Sequence, residues 1–114
     1  MDADFVTRER DRLLRELVEF LSIPSISTLP DHAADCRRAA EWVMGQLRDL
    51  GCPVVELLEG PGHPVVWGET APVEGAPTLL VYGHYDVQPP EPLGLWTSPP
   101  FDPEVREAYS ADDD

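Results

Sequence analysis

Lysine is absent from this chain of 114 residues, and all eight basic residues are arginine. Set against 22 Asp and Glu, they leave a formal net charge of −14 at pH 7. A field that negative repels phosphate backbones and anionic lipid, which argues against a nucleic-acid or membrane-surface partner. No uninterrupted apolar run approaches the roughly 20 residues of a spanning helix. The opening Met1-Asp2-Ala3-Asp4 is acidic where a secretory signal is basic. Cysteine is scarce: Cys36 and Cys52 are too few for a disulfide framework and lack the C-x-x-C spacing of a metal knuckle. Both are expected as buried thiols, and the protein as soluble and cytoplasmic.

What is present is ordinary for a globular chain. Apolar residues make up 42% and charged residues 26%, in a length that suits one small domain. The two halves differ. Seven of the eight arginines fall in residues 1–50, and eleven of the thirteen prolines lie after residue 52. The first half therefore reads as helical, the second as short strands and structured loops.

Leu13, Leu14, Leu17, Val18 and Leu21 share one face of a 3.6-residue period, which predicts a helix over residues 4–22 with a packed stripe. Pro24 stops it. A second helix is expected from Asp31, a good N-cap, to about residue 50. Its buried stripe is Cys36, Ala39, Ala40, Val43, Met44, Leu47 and Leu50. Gly51 suits the position after its last turn and Pro53 prevents continuation. Three strands are expected, at 54–58, 65–67 and 78–82. The last, Leu79-Leu80-Val81-Tyr82 at its centre, is continuously apolar, as in a central strand covered on both faces. The fold class is α/β: two helices followed by a partial mixed sheet. The Pro-rich stretch after Gln88 carries Leu93, Leu95, Trp96 and Phe101 and is expected to be a packed loop.

The chemistry falls where the third strand ends. Tyr82-Gly83-His84-Tyr85-Asp86 sets a His and an Asp two residues apart, and ligands in open α/β sheets collect at the carboxyl ends of strands. In extended backbone, positions i and i+2 point the same way, so His84 and Asp86 can act on one object. Imidazole is a good zinc ligand, and a carboxylate accepting its other N–H fixes the tautomer. The bland alternative is a solvated turn histidine beside a capping Asp. His32, in the first helical turn, and His63, in Pro61-Gly62-His63-Pro64, are expected to be a surface and a loop residue.

Leu80-Val81-Tyr82-Gly83-His84-Tyr85-Asp86-Val87-Gln88-Pro89 resembles the first metal-binding segment of the dinuclear zinc dipeptidases and deacylases. That family includes carnosinases, aminoacylases, acetylornithine deacetylase and succinyl-diaminopimelate desuccinylase. The resemblance continues in Ile23-Pro24-Ser25-Ile26-Ser27, His63-Pro64-Val65-Val66-Trp67-Gly68-Glu69 and Leu93-Gly94-Leu95-Trp96-Thr97-Ser98-Pro99-Pro100-Phe101. The last of these is similar to the dipeptidase branch. The resemblance implies the N-terminal part of a zinc-peptidase-like catalytic domain over residues 1–107, followed by a divergent acidic tail at 108–114. It implies that His84 ligates one of two zinc ions and that Asp86 belongs to the catalytic site as the residue orienting His84. It also implies a dipeptide or acyl amino acid as substrate.

The resemblance has a boundary. The family continues with a segment of the form R-G-x-x-D-x-K-G, which supplies a metal-bridging Asp, whereas this chain reads Ala108-Tyr109-Ser110-Ala111-Asp112-Asp113-Asp114. Asp112 is either a remnant of that residue or part of a solvated tail. One histidine does not make a catalytic zinc site, which needs about three protein ligands. The chain is thus expected to be inert in isolation, and to associate into oligomers through exposed sheet edges. Two alternatives are a deacylase of the same chemistry and a noncatalytic module that binds a protein partner.

Overall fold

The computed structural model describes residues 4–107, in two compact units. Of the described residues, one unit combines 4–24 with 89–107, and the other is Ser25–Gln88. The expected acidic tail, with Asp112, lies outside the described residues. Helices and an antiparallel strand pair give the α/β class that the sequence predicts.

In the first unit, α1 (Asp4–Arg8) and α2 (Arg10–Leu21) replace the single predicted helix. The break at Glu9 is slight. Its N–H still donates to the Phe5 carbonyl and its carbonyl accepts from Leu13 N–H, each at 2.9 Å. Arg12 ties the joint, reaching Glu9 at 2.5 Å and Glu16 at 2.8 Å. The predicted packed stripe is not buried: no residue of α2 is, and Leu17 and Leu21 are exposed. Helical periodicity creates an apolar face, but burying it takes an apolar surface of matching width, and the described residues leave its outer row uncovered. After Pro89 the chain makes a 3₁₀ turn at Leu93–Leu95. Leu93, Leu95 and Trp96 are exposed, against the expectation of a packed loop. Polar anchors shape it instead: the Trp96 indole N–H donates to the Pro90 carbonyl at 3.0 Å, and Arg106 donates to the Thr97 hydroxyl.

The second unit opens with a 3₁₀ turn, Pro30–His32, that leads into α3 (Ala33–Asp49). Asp31 is not the N-cap. It lies inside the 3₁₀ turn, and His32 takes the cap position without a side-chain capping bond. Pro30, with φ preset for the first position of a helical turn, starts the coil early and carries Asp31 past the boundary. The other end is as predicted. Gly51 adopts φ +82°, its N–H donates to the Arg48 carbonyl at 2.9 Å, and Cys52 N–H donates to the Leu47 carbonyl at 3.1 Å. Together these two bonds form the Schellman closure.

From the α3 stripe, Cys36, Ala39, Ala40 and Met44 are buried, while Leu50 at its end is exposed. The helix packs on a hairpin of β1 (Val54–Leu58) and β2 (Val65–Glu69). The antiparallel register pairs Val55 with Gly68 and Leu57 with Val66 on one face, and Glu56 with Trp67 and Leu58 with Val65 on the other. Glycine at 68 has a steric reason. A Cβ there would stand 2.8 Å from Leu47 Cδ1, so the missing side chain lets α3 approach β2.

The third predicted strand is the main correction. Residues 78–82 join no ladder among the described residues, and Leu79, Leu80, Val81 and Tyr82 are 75–89% exposed. A central strand is defined by neighbours that supply N–H and C=O groups in register. Apolar continuity signals a capacity to be covered and does not supply the cover. The parallel component of the expected mixed sheet reduces to one bridge, Ile26 with Val87. Among the described residues, no helix is long and apolar enough to cross a membrane.

Candidate functional site

The bridge between Ile26 and Val87 brings two loop segments together, one immediately after Pro24 and the other carrying His84. Val87 N–H donates to the Ser25 carbonyl at 2.9 Å, and Ser27 N–H donates to the Val87 carbonyl at 3.3 Å. The serine side chains add two more links. Ser25, buried, donates its hydroxyl to the Tyr85 carbonyl at 2.7 Å. Ser27 donates its hydroxyl to Asp86 Oδ2, also at 2.7 Å. Ile26, between them, is buried.

His84 and Asp86 meet as the i, i+2 spacing predicts. His84 Nδ1 lies 2.9 Å from the Asp86 carbonyl oxygen and 3.1 Å from Asp86 Oδ1. Both partners are acceptors, so Nδ1 carries the hydrogen and donates it to them. Among the described residues no protein group bonds Nε2. The imidazole is 73% exposed. It therefore presents a bare nitrogen lone pair to the outside when neutral. The Ser27 hydroxyl, donating into Asp86, holds its carboxyl below the usual carboxylate range. The hydrogen bond and charge of His84 pull the same way, against partial burial.

A second layer sits behind the pair. The Tyr85 hydroxyl donates to the Pro64 carbonyl at 2.6 Å, and burial pushes its phenol up. Burial, with the Asp86 and Asp35 charges, also pushes the Cys36 thiol up. Cys36 is fully buried and Cys52 half-buried, and both are free thiols.

The other histidines stand apart. His32 Nδ1 pairs with Asp35 Oδ2 at 2.8 Å on α3, half-exposed. His63 lies in the loop between β1 and β2, as expected, and its Nε2 lies 2.8 Å from the Ser27 carbonyl, to which it donates. Sequence reasoning missed Ser27, which makes three of the bonds just described. No spacing marks it: it lies 59 positions from Asp86, and only the likeness of Ile23-Pro24-Ser25-Ile26-Ser27 to a family segment touched it.

The donor chemistry fits one metal-ligand position, a bare imidazole nitrogen whose other nitrogen is held by a carboxylate. It does not make a whole zinc centre, which takes about three protein donors. Among the described residues, no three His, Cys, Asp or Glu side chains come together as a metal-binding group.

Comparison with known proteins finds similarity to a dipeptidase and to desuccinylases. The chain is 35% identical over 102 residues to cysteinylglycine-S-conjugate dipeptidase of Corynebacterium striatum, a match over 90% of this chain and 22% of that protein. An alignment of that length necessarily contains Ser27, His84 and Asp86. The chain is 44% identical over 69 residues to succinyl-diaminopimelate desuccinylase of Methylococcus capsulatus, covering 52% of this chain and 18% of that enzyme. It is 58% identical over 33 residues to the desuccinylase of Xanthomonas oryzae pv. oryzae, covering 29% of this chain and 9% of that enzyme. These relatives are members of the dinuclear zinc peptidase and deacylase family. The chain spans about a fifth of the length of the first two. No family model matches the chain, and neither does any solved structure.

Proposed function

We propose that this chain supplies the N-terminal part of the catalytic domain of a metal-dependent dipeptidase-like hydrolase, with His84 as one metal ligand and Asp86 as the carboxylate that orients it. The observation that carries the reading is the His84–Asp86 contact, with Nδ1 engaged and Nε2 bare. It sits inside a stretch 35% identical to a dipeptidase. The metal implied by the resemblance is zinc, two ions in the intact family. When bound, such a pair polarises a carbonyl and lowers the pKa of a water. This chain's own contribution is narrower: it holds one imidazole in a ligating orientation. One imidazole falls short of the roughly three protein donors of a catalytic zinc, so on this reading the 114-residue chain on its own is expected to be inert. A cytoplasmic setting accords with its two free thiols.

The substrate class is a dipeptide, after the dipeptidase that matches most of the chain. A second reading, an acyl-amino-acid deacylase, is favoured by the higher local identity to the desuccinylases. Replacing the matched segment of the Corynebacterium dipeptidase with residues 1–107 of this chain tests both. The folded chimaera should hydrolyse a cysteinylglycine S-conjugate, lose activity to a chelator and regain it with zinc. Preference for an N-succinyl amino acid selects the deacylase reading. A folded chimaera that hydrolyses neither, or one in which His84→Ala keeps the parent rate, overturns the proposal.

A further inference from the structure

Ser27 occupies an unusual position relative to the His84–Asp86 pair. A carboxylate beside a histidine can rotate about its Cβ–Cγ bond and offer either oxygen, or neither. Here one oxygen is already engaged: Asp86 Oδ2 accepts from the Ser27 hydroxyl at 2.7 Å, which leaves Oδ1 facing His84 Nδ1 at 3.1 Å. Ser27 is itself fixed on two further sides. Its N–H donates to the Val87 carbonyl, one residue beyond Asp86, and its carbonyl accepts from His63 Nε2 at 2.8 Å. The serine is thus tied to the backbone next to the carboxylate it holds.

We infer that Ser27 is a positioning residue for the proposed metal ligand: through Asp86 it selects the Nδ1–H tautomer of His84 and so keeps Nε2 bare for a metal. The chain of bonds runs Ser27 hydroxyl to Asp86 Oδ2, then Asp86 Oδ1 to His84 Nδ1, where the carboxylate adds a second acceptor beside the Asp86 carbonyl at 2.9 Å. His63 holds the opposite tautomer, because its Nε2 faces the Ser27 carbonyl and must carry the hydrogen. One serine therefore touches two histidines with opposite consequences, bonding His63 directly through its backbone and His84 indirectly through its side chain. The purpose of the device rests on the reading of His84 as a ligand. The tautomer itself is measured without metal, so either idea can fail while the other stands.

The test is nitrogen-15 NMR of the ring nitrogens of the full 114-residue chain, metal-free, at a pH well above the ordinary imidazole value of about 6.5. The expected spectrum shows His84 protonated on Nδ1 and His63 on Nε2. Ser27→Ala, which frees the carboxylate to turn away and leaves Nδ1 the Asp86 carbonyl alone, should lower the Nδ1–H to Nε2–H ratio of His84 roughly five-fold, the factor of about one hydrogen bond. Ser27→Thr, which keeps the hydroxyl, should restore it. His63 serves as the internal control: its acceptor is a backbone carbonyl that the substitution leaves in place, so its signature reports an intact loop. An unchanged His84 ratio in a Ser27→Ala chain that keeps the His63 signature overturns the proposal, as does a wild-type His84 protonated on Nε2. Should Ser27→Ala lose the His63 signature, Ser27→Cys decides. This substitution is nearly isosteric and a weaker donor; a reduced ratio supports the role and an unchanged one overturns it.

Discussion

Ser27 and Asp86 lie 59 positions apart in the chain and are joined by a 2.7 Å hydrogen bond that leaves the second carboxylate oxygen to His84. That bond is the main reason the Asp86 carboxyl sits below its ordinary range. The folded chain keeps this charge at a pH where the unfolded chain has begun to protonate. The stabilisation is complete above the unfolded value of about 3.9 and is lost as pH falls through the lower folded value. Wild type should therefore exceed Ser27→Ala in urea midpoint near neutrality, and the gap should narrow below about pH 4. A gap that stays constant from neutral to acid pH contradicts this linkage.

Gly51 ends α3 at φ +82°, where a Cβ is strained. Gly51→Ala should cost about 1 kcal/mol in equilibrium urea unfolding. A neutral result would mean that the two closing bonds, from Gly51 to Arg48 and from Cys52 to Leu47, hold without the left-handed residue.

Gly68 lets Leu47 approach β2, and an added methyl would stand 2.8 Å from Leu47 Cδ1. Gly68→Ala should destabilise by about 1–2 kcal/mol, the usual range for overpacking. Most of that cost should vanish in a Leu47→Ala background, because the clash partner is gone. A double-mutant cycle measured by urea unfolding checks the coupling; additive costs would place the strain elsewhere.

Cys36 is fully buried, and burial with two nearby negative charges pushes its thiol up. Cys52 is half-buried beyond the end of α3. Iodoacetamide at neutral pH should label Cys52 in the native chain and reach Cys36 only on unfolding. Peptide mass spectrometry reads the order, and equal rates would contradict the buried position of Cys36.

The exposed run Leu79-Leu80-Val81-Tyr82 is an association hazard: four consecutive apolar side chains, uncharged and without proline. Leu80→Glu should keep the chain monomeric at concentrations where wild type self-associates, with little loss of stability, since Leu80 is 75% exposed. Size-exclusion chromatography with light scattering distinguishes the two. Wild-type chain that stays monomeric at high concentration removes the hazard.

By itself the sequence determined the local features. The buried row of α3, its glycine stop, the two strands of the hairpin and the same-side placement of His84 and Asp86 all follow from periodicities of 3.6 and 2 and from one residue's freedom at positive φ. These are short-range properties, set by residues within a few positions of one another. Tertiary structure decided what depends on distant partners. It chose Ser27, far along the chain, as the residue that holds Asp86, and gave His63 a backbone carbonyl to bind. Among the described residues it also left 78–82 without a ladder and the outer row of α2 without cover. Hydrophobic pattern states what a segment can bury, and only a neighbour in space decides whether it does.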